Sequence, residues 1–149
     1  MEIREIMTKD VVTLSPETTV KDAVDLLFKL KISGLPVVDS ENLVVGMFTE
    51  KEVLKTILPS YVERFEGLTR MFGDKGLERR VMELEKMHVG DIMRREVICV
   101  EENAPIVEVA KIMLVRNARR VPVLKDSKLS GIVAREDILR SILGKAQKA

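Results

Sequence analysis

An acidic side chain stands where a helix is predicted to begin near the end of the chain. The stretch ARED (residues 134–137) closes an apolar strand and places Asp137 in the first turn of that helix. Its carboxylate could accept hydrogen bonds from ribose hydroxyl groups, while the free N–H groups of the helix start face a phosphate. A favourable interaction with the helix dipole is the structural alternative for Asp137.

Two adjacent arginines, Arg119 and Arg120, directly precede the predicted strand Val121-Pro122-Val123. This position places their guanidinium groups at the end of a sheet. Adjacent arginines are usually solvated, but planar and permanently charged donors also suit bidentate contacts with phosphate. The pair is therefore a candidate for holding a phosphorylated ligand.

A second acid, Glu52, stands in the first turn of another predicted helix, in the stretch TEKE (residues 49–52). The T-x-x-E pattern predicts a capping box, in which the Thr49 hydroxyl and the Glu52 carboxylate each accept a hydrogen bond from a backbone N–H. A role of the same two residues in ligand binding is the alternative.

Side chains that most enzymes use are scarce in this sequence. The chain has one histidine, His88, one cysteine, Cys99, and one tyrosine. Most arrangements for nucleophilic or metal-assisted catalysis therefore lack their parts, and multi-cysteine metal sites are excluded. We expect no catalytic residues, no metal site and no enzymatic activity, and we expect Cys99 to be a buried small residue in a strand.

The charges are balanced, with 25 basic and 24 acidic residues and a net charge of +1. This balance gives no overall attraction to nucleic acid or to an anionic membrane. The apolar runs are short and broken by charged residues, and the N-terminal sequence MEIREIMTKD has no signal-peptide core. We expect a soluble, cytoplasmic, globular protein.

Much of the chain occurs twice, because residues 3–58 align with residues 89–143. The matched motifs are IREIMTKDVVTL with VGDIMRREVICV, GLPVVD with RVPVLK, and GMFTEKEVLKTIL with GIVAREDILRSIL. In this alignment Arg119 and Arg120 stand where the first repeat has Ser33 and Gly34. We interpret this difference as a requirement of a ligand rather than of folding.

Each repeat predicts the element order β-α-β-β-α. Short β-branched runs at residues 11–14 and 97–100 predict the first strands, and the T-x-x-D pattern at Thr19 predicts a helix cap. A unit of about 55 residues is marginally stable alone, so we expect the two repeats to pack together in an α/β fold with approximate twofold symmetry.

The predicted boundaries are residues 1–58 for the first repeat, 59–88 for a spacer and 89–149 for the second repeat. A structureless loop of the spacer's length is unusual, so we expect two helices broken at the sequence GDKG. We expect the spacer to pack on the body of the protein or on a partner subunit, and its residues Arg79 and Arg80 to form a solvated face. One spacer helix has an apolar stripe, formed by Leu77, Val81, Leu84 and Met87.

The repeat, the strand starts LPV and VPV, and the endings GMFTEKE and GIVARED resemble the cystathionine β-synthase (CBS) domain pair, also called a Bateman module. The resemblance covers nearly the whole chain except the spacer. It implies a regulatory module that binds an adenosine-containing ligand, such as AMP, ADP, ATP or S-adenosylmethionine, in clefts between the repeats. It also favours a homodimer, as do the apolar helix faces, which exceed what one small body covers.

The resemblance implies two clefts with different residues. In one cleft the ribose acid is Asp137, beside Arg135, and the family pattern adds Thr8, Asp10, Val11, Ser33, Gly34, Leu35 and Pro36. In the other cleft the acid is Glu52, beside Thr49 and Lys51, and the pattern adds Arg94, Val97, Arg119, Arg120, Val121 and Pro122. The chain departs from the family in having Glu52 for an aspartate and Ala134 for a hydroxyl residue.

Two functions remain open at this point. The leading interpretation is a stand-alone sensor of an adenosine-containing ligand that acts on a regulated partner protein. The alternative is a structural scaffold with empty clefts, whose spacer docks a partner. The Asp137 carboxylate and the arginine pair favour the sensor.

Overall fold

A computed structural model describes the protein over residues 1–58 and 69–148, with side chains for residues 1–58 and 73–144. None of the helices in this part of the chain is long and apolar enough to cross a membrane. A short 3-10 helix, Ile3–Glu5, comes first. The further elements are α1 (Val20–Leu30), β1 (Gly34–Val38), β2 (Val44–Thr49), α2 (Glu50–Ile57), α3 (Thr69–Glu85), α4 (Val89–Ile92), β3 (Val100–Glu101), α5 (Ile106–Val115), β4 (Arg120–Lys125), β5 (Lys128–Ala134) and α6 (Arg135–Lys148).

The chain divides into two compact units, and each unit combines segments of both repeats. The terminal unit consists of Met1–Val12, Ser40–Val44 and Val97–Ala149. The middle unit consists of Thr13–Asp39 and Val45–Glu96. The units therefore differ from the repeats, because the leading segment of each repeat (residues 1–12 and 89–96) belongs to the unit that contains most of the other repeat.

Backbone hydrogen bonds hold these exchanged segments in place. In the terminal unit the N–H of Thr8 donates to the carbonyl of Ile132 at 2.8 Å, and the N–H of Ile132 donates back at 2.9 Å. In the middle unit Met47 and Arg94 exchange the same pair of bonds, each at 2.9 Å. The N-terminal segment also places Ile3 in the terminal core, where it is fully buried. Each core is thus completed by the other repeat's leading segment.

The middle unit is a two-stranded sheet of β1 and β2 with helices around one core. Helix α1 begins at a cap, in which the Thr19 hydroxyl oxygen accepts from the N–H of Asp22 at 3.2 Å, so the predicted cap is confirmed. The helix ends at Lys31, whose left-handed backbone (φ 55°) turns the chain toward β1. The buried core consists of Leu14, Val20, Ala23, Leu27, Leu35, Val37, Phe48, Leu84, Val89 and Met93.

The terminal unit has a three-stranded sheet in the order β3-β4-β5. Strand β3 runs parallel to β4, and β4 runs antiparallel to β5. The tight turn between β4 and β5 has positive φ at Asp126 (51°) and Ser127 (67°), the combination that a two-residue hairpin with right-handed twist requires. The buried core consists of Ile3, Val100, Ile106, Val109, Met113, Val121, Val123, Val133 and Ile138.

The predicted first strands are shorter than the sequence indicated. Residues 11–14 contribute only an isolated bridge between Leu14 and Val37. The N–H of Val11 instead bonds the nearby carbonyl of Lys9 at 3.1 Å, so a sheet ladder does not begin there. In the second repeat, pairing begins at Val100, opposite Val123, and the strand has two residues. β-branched composition predicted extended backbone here but not its hydrogen-bond partners.

The spacer contains a helix, α3, that breaks where the sequence predicted. Gly73, the first residue of GDKG, has non-helical angles (φ 55°, ψ −173°), which glycine adopts without steric cost. Of the predicted apolar stripe, Leu84 lies in the middle core and Leu77 is exposed. The first predicted spacer helix falls mainly on residues 59–68, outside the described residues.

Candidate functional site

Asp137 caps the start of α6. Its Oδ2 accepts a hydrogen bond from the backbone N–H of Ala134 at 2.8 Å, and its Oδ1 lies 3.7 Å from Nη1 of Arg140. The side chain is 18% exposed. This direct cap is a stronger structural reason for the acid than the helix dipole alone. A carboxylate offers about four acceptor positions, so Asp137 retains capacity for hydroxyl groups of a ligand.

Strands β4 and β5 place the arginine pair beside the start of α6. Arg120 pairs with Ala134 in the antiparallel register, and the carbonyl of Arg119 accepts from the N–H of Arg135 at 3.1 Å. Arg119 is exposed and Arg120 is half-buried. The backbone positions of both arginines are therefore fixed by the same segment that carries Asp137.

The candidate residues fall into both units. The terminal unit contains Thr8, Asp10, Val11, Val97, Arg119, Arg120, Val121, Pro122, Arg135 and Asp137. The middle unit contains Ser33, Gly34, Leu35, Pro36, Thr49, Lys51, Glu52 and Arg94. The grouping into two clefts, which the family resemblance implies, combines residues of both units and stays a prediction.

Arg135 holds the loop that leads into β4. Its Nε donates to the carbonyl of Ala118 at 3.0 Å, and its Nη2 lies 3.4 Å from the carbonyl of Met113 and 3.3 Å from Oδ1 of Asn117. These bonds fasten the end of α5 and the turn at Asn117, where φ is 52°. Arg135 thus positions the residues directly before Arg119. Neither this network nor the contact between Asp137 and Arg140 was predicted, although the i,i+3 spacing of the latter pair was a signal for it.

Thr49 and Glu52 do not form the predicted capping box. Thr49 makes no cap through its side chain; its hydroxyl donates instead to Oε1 of Glu52 at 2.5 Å. Glu52 is only 7% exposed, so its carboxylate needs a partner inside the protein. The hydroxyl of Thr49 meets this need, which the capping pattern in the sequence did not reveal. Lys51, between them, is exposed.

Glycine at position 34, where the second repeat has Arg120, has a folding cause. A β-carbon at Gly34 would lie 2.7 Å from Cγ2 of Thr49 and 3.1 Å from the carbonyl oxygen of Phe48, too close for any other residue without displacement. The equivalent pair in the second repeat is Arg120 opposite Ala134, and alanine has no γ-carbon. Packing against Thr49 thus gives a folding reason for glycine at position 34, whereas the role of Arg119 and Arg120 in ligand binding stays a prediction.

Cys99 is half-buried directly before β3 rather than within a strand. Burial raises the pKa of its thiol, and the negative charge of Glu101 raises it further. Less thiolate is present at neutral pH, which agrees with a packing role. Among the side chains that the structure describes, in residues 1–58 and 73–144, there is no cluster of three or more histidine, cysteine or acidic groups that could hold a metal ion.

This chain belongs to the CBS domain family. The family model matches residues 3–59 and 89–144. Among curated relatives, the chain is 30% identical over 137 residues to inosine-5'-monophosphate dehydrogenase of Methanocaldococcus jannaschii, covering 91% of this chain but 22% of that enzyme. It is 31% identical to an uncharacterized protein, MJ1426, of the same organism, covering 96% of this chain and 92% of that protein.

Solved CBS-pair structures share the fold. CBSX2 of Arabidopsis thaliana superposes with a TM-score of 0.80 at 26% identity, covering 99% of this chain and 98% of that chain. A second structure of CBSX2 is a complex with AMP (TM-score 0.74, 26% identity, coverage 97% and 98%). The CBS domain pair of protein MJ0100, in complex with 5-methylthioadenosine and S-adenosyl-L-methionine, has a TM-score of 0.71 at 27% identity, covering 97% and 98%. The predicted fold class, an α/β tandem CBS repeat, is confirmed.

The contact between Gly34 and Thr49 is testable by a double-mutant cycle. Gly34→Ala should lower the free energy of unfolding by about 1–3 kcal/mol, the usual cost of overpacking. Thr49→Ser removes Cγ2 but keeps the hydroxyl that serves Glu52, so the added methyl should cost less in the double variant. Chemical denaturation would measure all three variants. Gly144→Ala is the control, because a β-carbon there meets nothing within 4 Å. Additive costs would contradict the assigned contact.

Proposed function

We propose that this protein is a cytoplasmic regulatory module without catalytic activity, which binds an adenosine-containing ligand and transmits its presence to a partner protein. The observation that carries the proposal is the Asp137 carboxylate at the start of α6, held by the Ala134 N–H with acceptor capacity remaining. The complexes of CBSX2 with AMP and of MJ0100 with S-adenosyl-L-methionine support an adenosine moiety as the recognised part.

Asp137 and Glu52 would contribute different net free energies to ligand binding. Asp137 can accept ribose hydroxyls without giving up its hydrogen bond to Ala134. Glu52 already accepts the Thr49 hydroxyl in a buried position, so a ligand hydroxyl would share or replace that bond. We therefore propose that the residues around Asp137 (the Asp137 half-site) bind adenosine ligands more tightly than the residues around Glu52 (the Glu52 half-site). AMP, ADP, ATP and S-adenosylmethionine are the ligands to compare.

A scaffold that docks a partner is the second candidate function. The observation that favours it is exposed apolar surface on α5, where Val107 and Leu114 are each 77% exposed. Such side chains together on one short helix are typical of an interaction surface. The same observation supports a homodimer, so the two outcomes must be separated by experiment.

We predict a homodimer in solution. Substituting Leu114 and Val115, both more than 70% exposed on α5, by serine should shift the protein toward monomer without loss of folding. Light scattering at micromolar concentration and circular dichroism would measure both properties. Wild-type protein that is monomeric under these conditions would contradict the prediction.

Asp137→Asn separates capping from ligand binding. Asparagine retains an oxygen that accepts from the Ala134 N–H, so the free energy of unfolding should stay within about 0.5 kcal/mol of wild type. Affinity for AMP should fall roughly tenfold, because a hydrogen bond from ribose to a charged acceptor contributes about 1.5–3 kcal/mol. Asp137→Ala should lose both stability and affinity.

Calorimetry with AMP and with its 2',3'-dideoxy analogue would test this expectation. The analogue should bind wild type and Asp137→Asn equally, since it has no hydroxyls for the acid. If Asp137→Asn binds AMP as wild type does, the acid serves only the helix. If none of AMP, ADP, ATP and S-adenosylmethionine binds the wild-type protein, the sensor function is refuted and the scaffold takes its place.

Arg119 and Arg120 should select for phosphate groups. Replacing both by alanine should weaken ATP and ADP more than adenosine, and the difference should shrink at high salt because screening weakens exposed charge pairs. The control is Lys111→Ala with Lys128→Ala, which removes the same charge from exposed positions of the terminal unit. Equal losses for ATP in the two double variants would show that only net charge matters.

A further inference from the structure

Arg80 of the spacer binds the end of helix α2. Its Nη2 donates to the carbonyl of Thr56 at 2.6 Å, and its Nε donates to the carbonyl of Ile57 at 3.3 Å. Glu83, one turn further along α3, lies 3.6 Å from Nη1 and orients the guanidinium. The last carbonyls of a helix have no partners within it, so this arginine caps α2 from outside. The expectation that Arg80 belongs to a solvated face is wrong.

Helix α2 depends on this cap more than a longer helix would. It has eight residues, of which only Glu52 is buried. Its apolar residues Val53 and Ile57 are partly buried against the middle core. The hydrophobic anchoring of α2 is therefore modest. Polar contacts at its two ends, Thr49 with Glu52 at one and Arg80 at the other, add to what holds the helix in place.

A line of hydrogen bonds joins Arg80 to the candidate ligand acid. Arg80 bonds the Thr56 carbonyl, the Thr56 hydroxyl donates to the carbonyl of Glu52 at 2.8 Å, and the Glu52 carboxylate accepts from Thr49. All these residues lie in the middle unit. This line reaches the backbone of Glu52, so a displacement of the end of α2 is expected to change the position of the acid at its start.

We infer that Arg80 is a positioning residue for Glu52, and that docking of the spacer helix and ligand binding at Glu52 are linked. The inference rests on the proposed function and adds a regulatory role for the spacer, a segment outside both matched repeats. Linkage is reciprocal, so a ligand that fixes Glu52 strengthens the bond between Arg80 and α2, and an undocked spacer weakens binding at Glu52.

The first arm of the test needs no ligand. Hydrogen exchange of the Leu58 amide, which donates to the carbonyl of Leu54 at 3.0 Å, reports the order of the end of α2. Arg80→Ala should speed this exchange about tenfold, and Arg80→Lys should have a smaller effect because one ammonium group can still reach a carbonyl. Arg79→Ala is the matched control, since Arg79 is an exposed arginine on the same helix.

The second arm measures AMP binding by calorimetry in two backgrounds. With Asp137→Asn, where binding depends on Glu52, Arg80→Ala should weaken affinity about threefold to tenfold, the range of measured couplings between contacting elements. With Glu52→Gln, where binding depends on Asp137, Arg80→Ala should leave the affinity for AMP unchanged. Arg79→Ala should leave the affinity for AMP unchanged in both backgrounds. AMP should slow hydrogen exchange of the Leu58 amide only when Arg80 is present.

The outcomes separate the inference from the proposed function. If wild type binds AMP and Arg80→Ala leaves the affinity unchanged in the Asp137→Asn background, the inference is overturned and the sensor function stands. If no adenosine ligand binds wild type, the sensor function and the linkage are both refuted, and the exchange arm alone decides whether Arg80 fixes α2. Equal exchange in Arg80→Ala and Arg79→Ala would overturn the positioning role itself.

Discussion

The exchange of backbone hydrogen bonds between each repeat and the leading segment of the other is the constraint on which the structure depends. Thr8 with Ile132 and Arg94 with Met47 make the same two-bond bridge in different units. Each bridge is accompanied by apolar side chains from the exchanged segment, including Ile3 in one core and Val89 in the other. A repeat without its partner would lack part of its core and leave strand-edge groups unpaired, so the pair rather than the single repeat is the folding unit.

The two repeats surround their candidate acids differently, and a few packing contacts account for the difference. Thr49 supplies the hydroxyl that a buried Glu52 requires, and its methyl group then demands glycine at position 34. Ala134 supplies neither group, so the strand opposite it can carry Arg120. Asp137, the acid of the second repeat, instead accepts a hydrogen bond from the N–H of Ala134. The side chain at one position thus determines both the neighbour that fits and the hydrogen bond that the acid makes.

The sequence predicted features that recur at fixed spacing, including the repeats, the helix cap at Thr19 and the break at Gly73. It did not predict contacts whose partners are far apart in the chain. Arg80 bonds carbonyls more than twenty positions away, and any residue supplies a carbonyl, so no residue type marks the acceptor. The capping-box prediction was wrong for a related reason: the T-x-x-E pattern is local, whereas burial of Glu52 is set by packing and changes what the carboxylate needs. The division of the site residues between two clefts stays a prediction.

Burial also sets how much Glu52 and Asp137 could each contribute to the binding of a reversible ligand. A hydrogen bond adds to binding only by the difference between the bond formed and the bond given up. Glu52 starts from a satisfied, buried state, so a ligand hydroxyl that replaces the Thr49 hydroxyl gains little, and the energy must come from elsewhere in the ligand. Asp137 is partly exposed, so under the proposed function it would exchange water for ligand while its hydrogen bond from the Ala134 N–H stays intact. The inferred linkage between the spacer and the Glu52 half-site would therefore act through where α2 places the residues around Glu52, and not through a net gain from the Glu52 hydrogen bond itself.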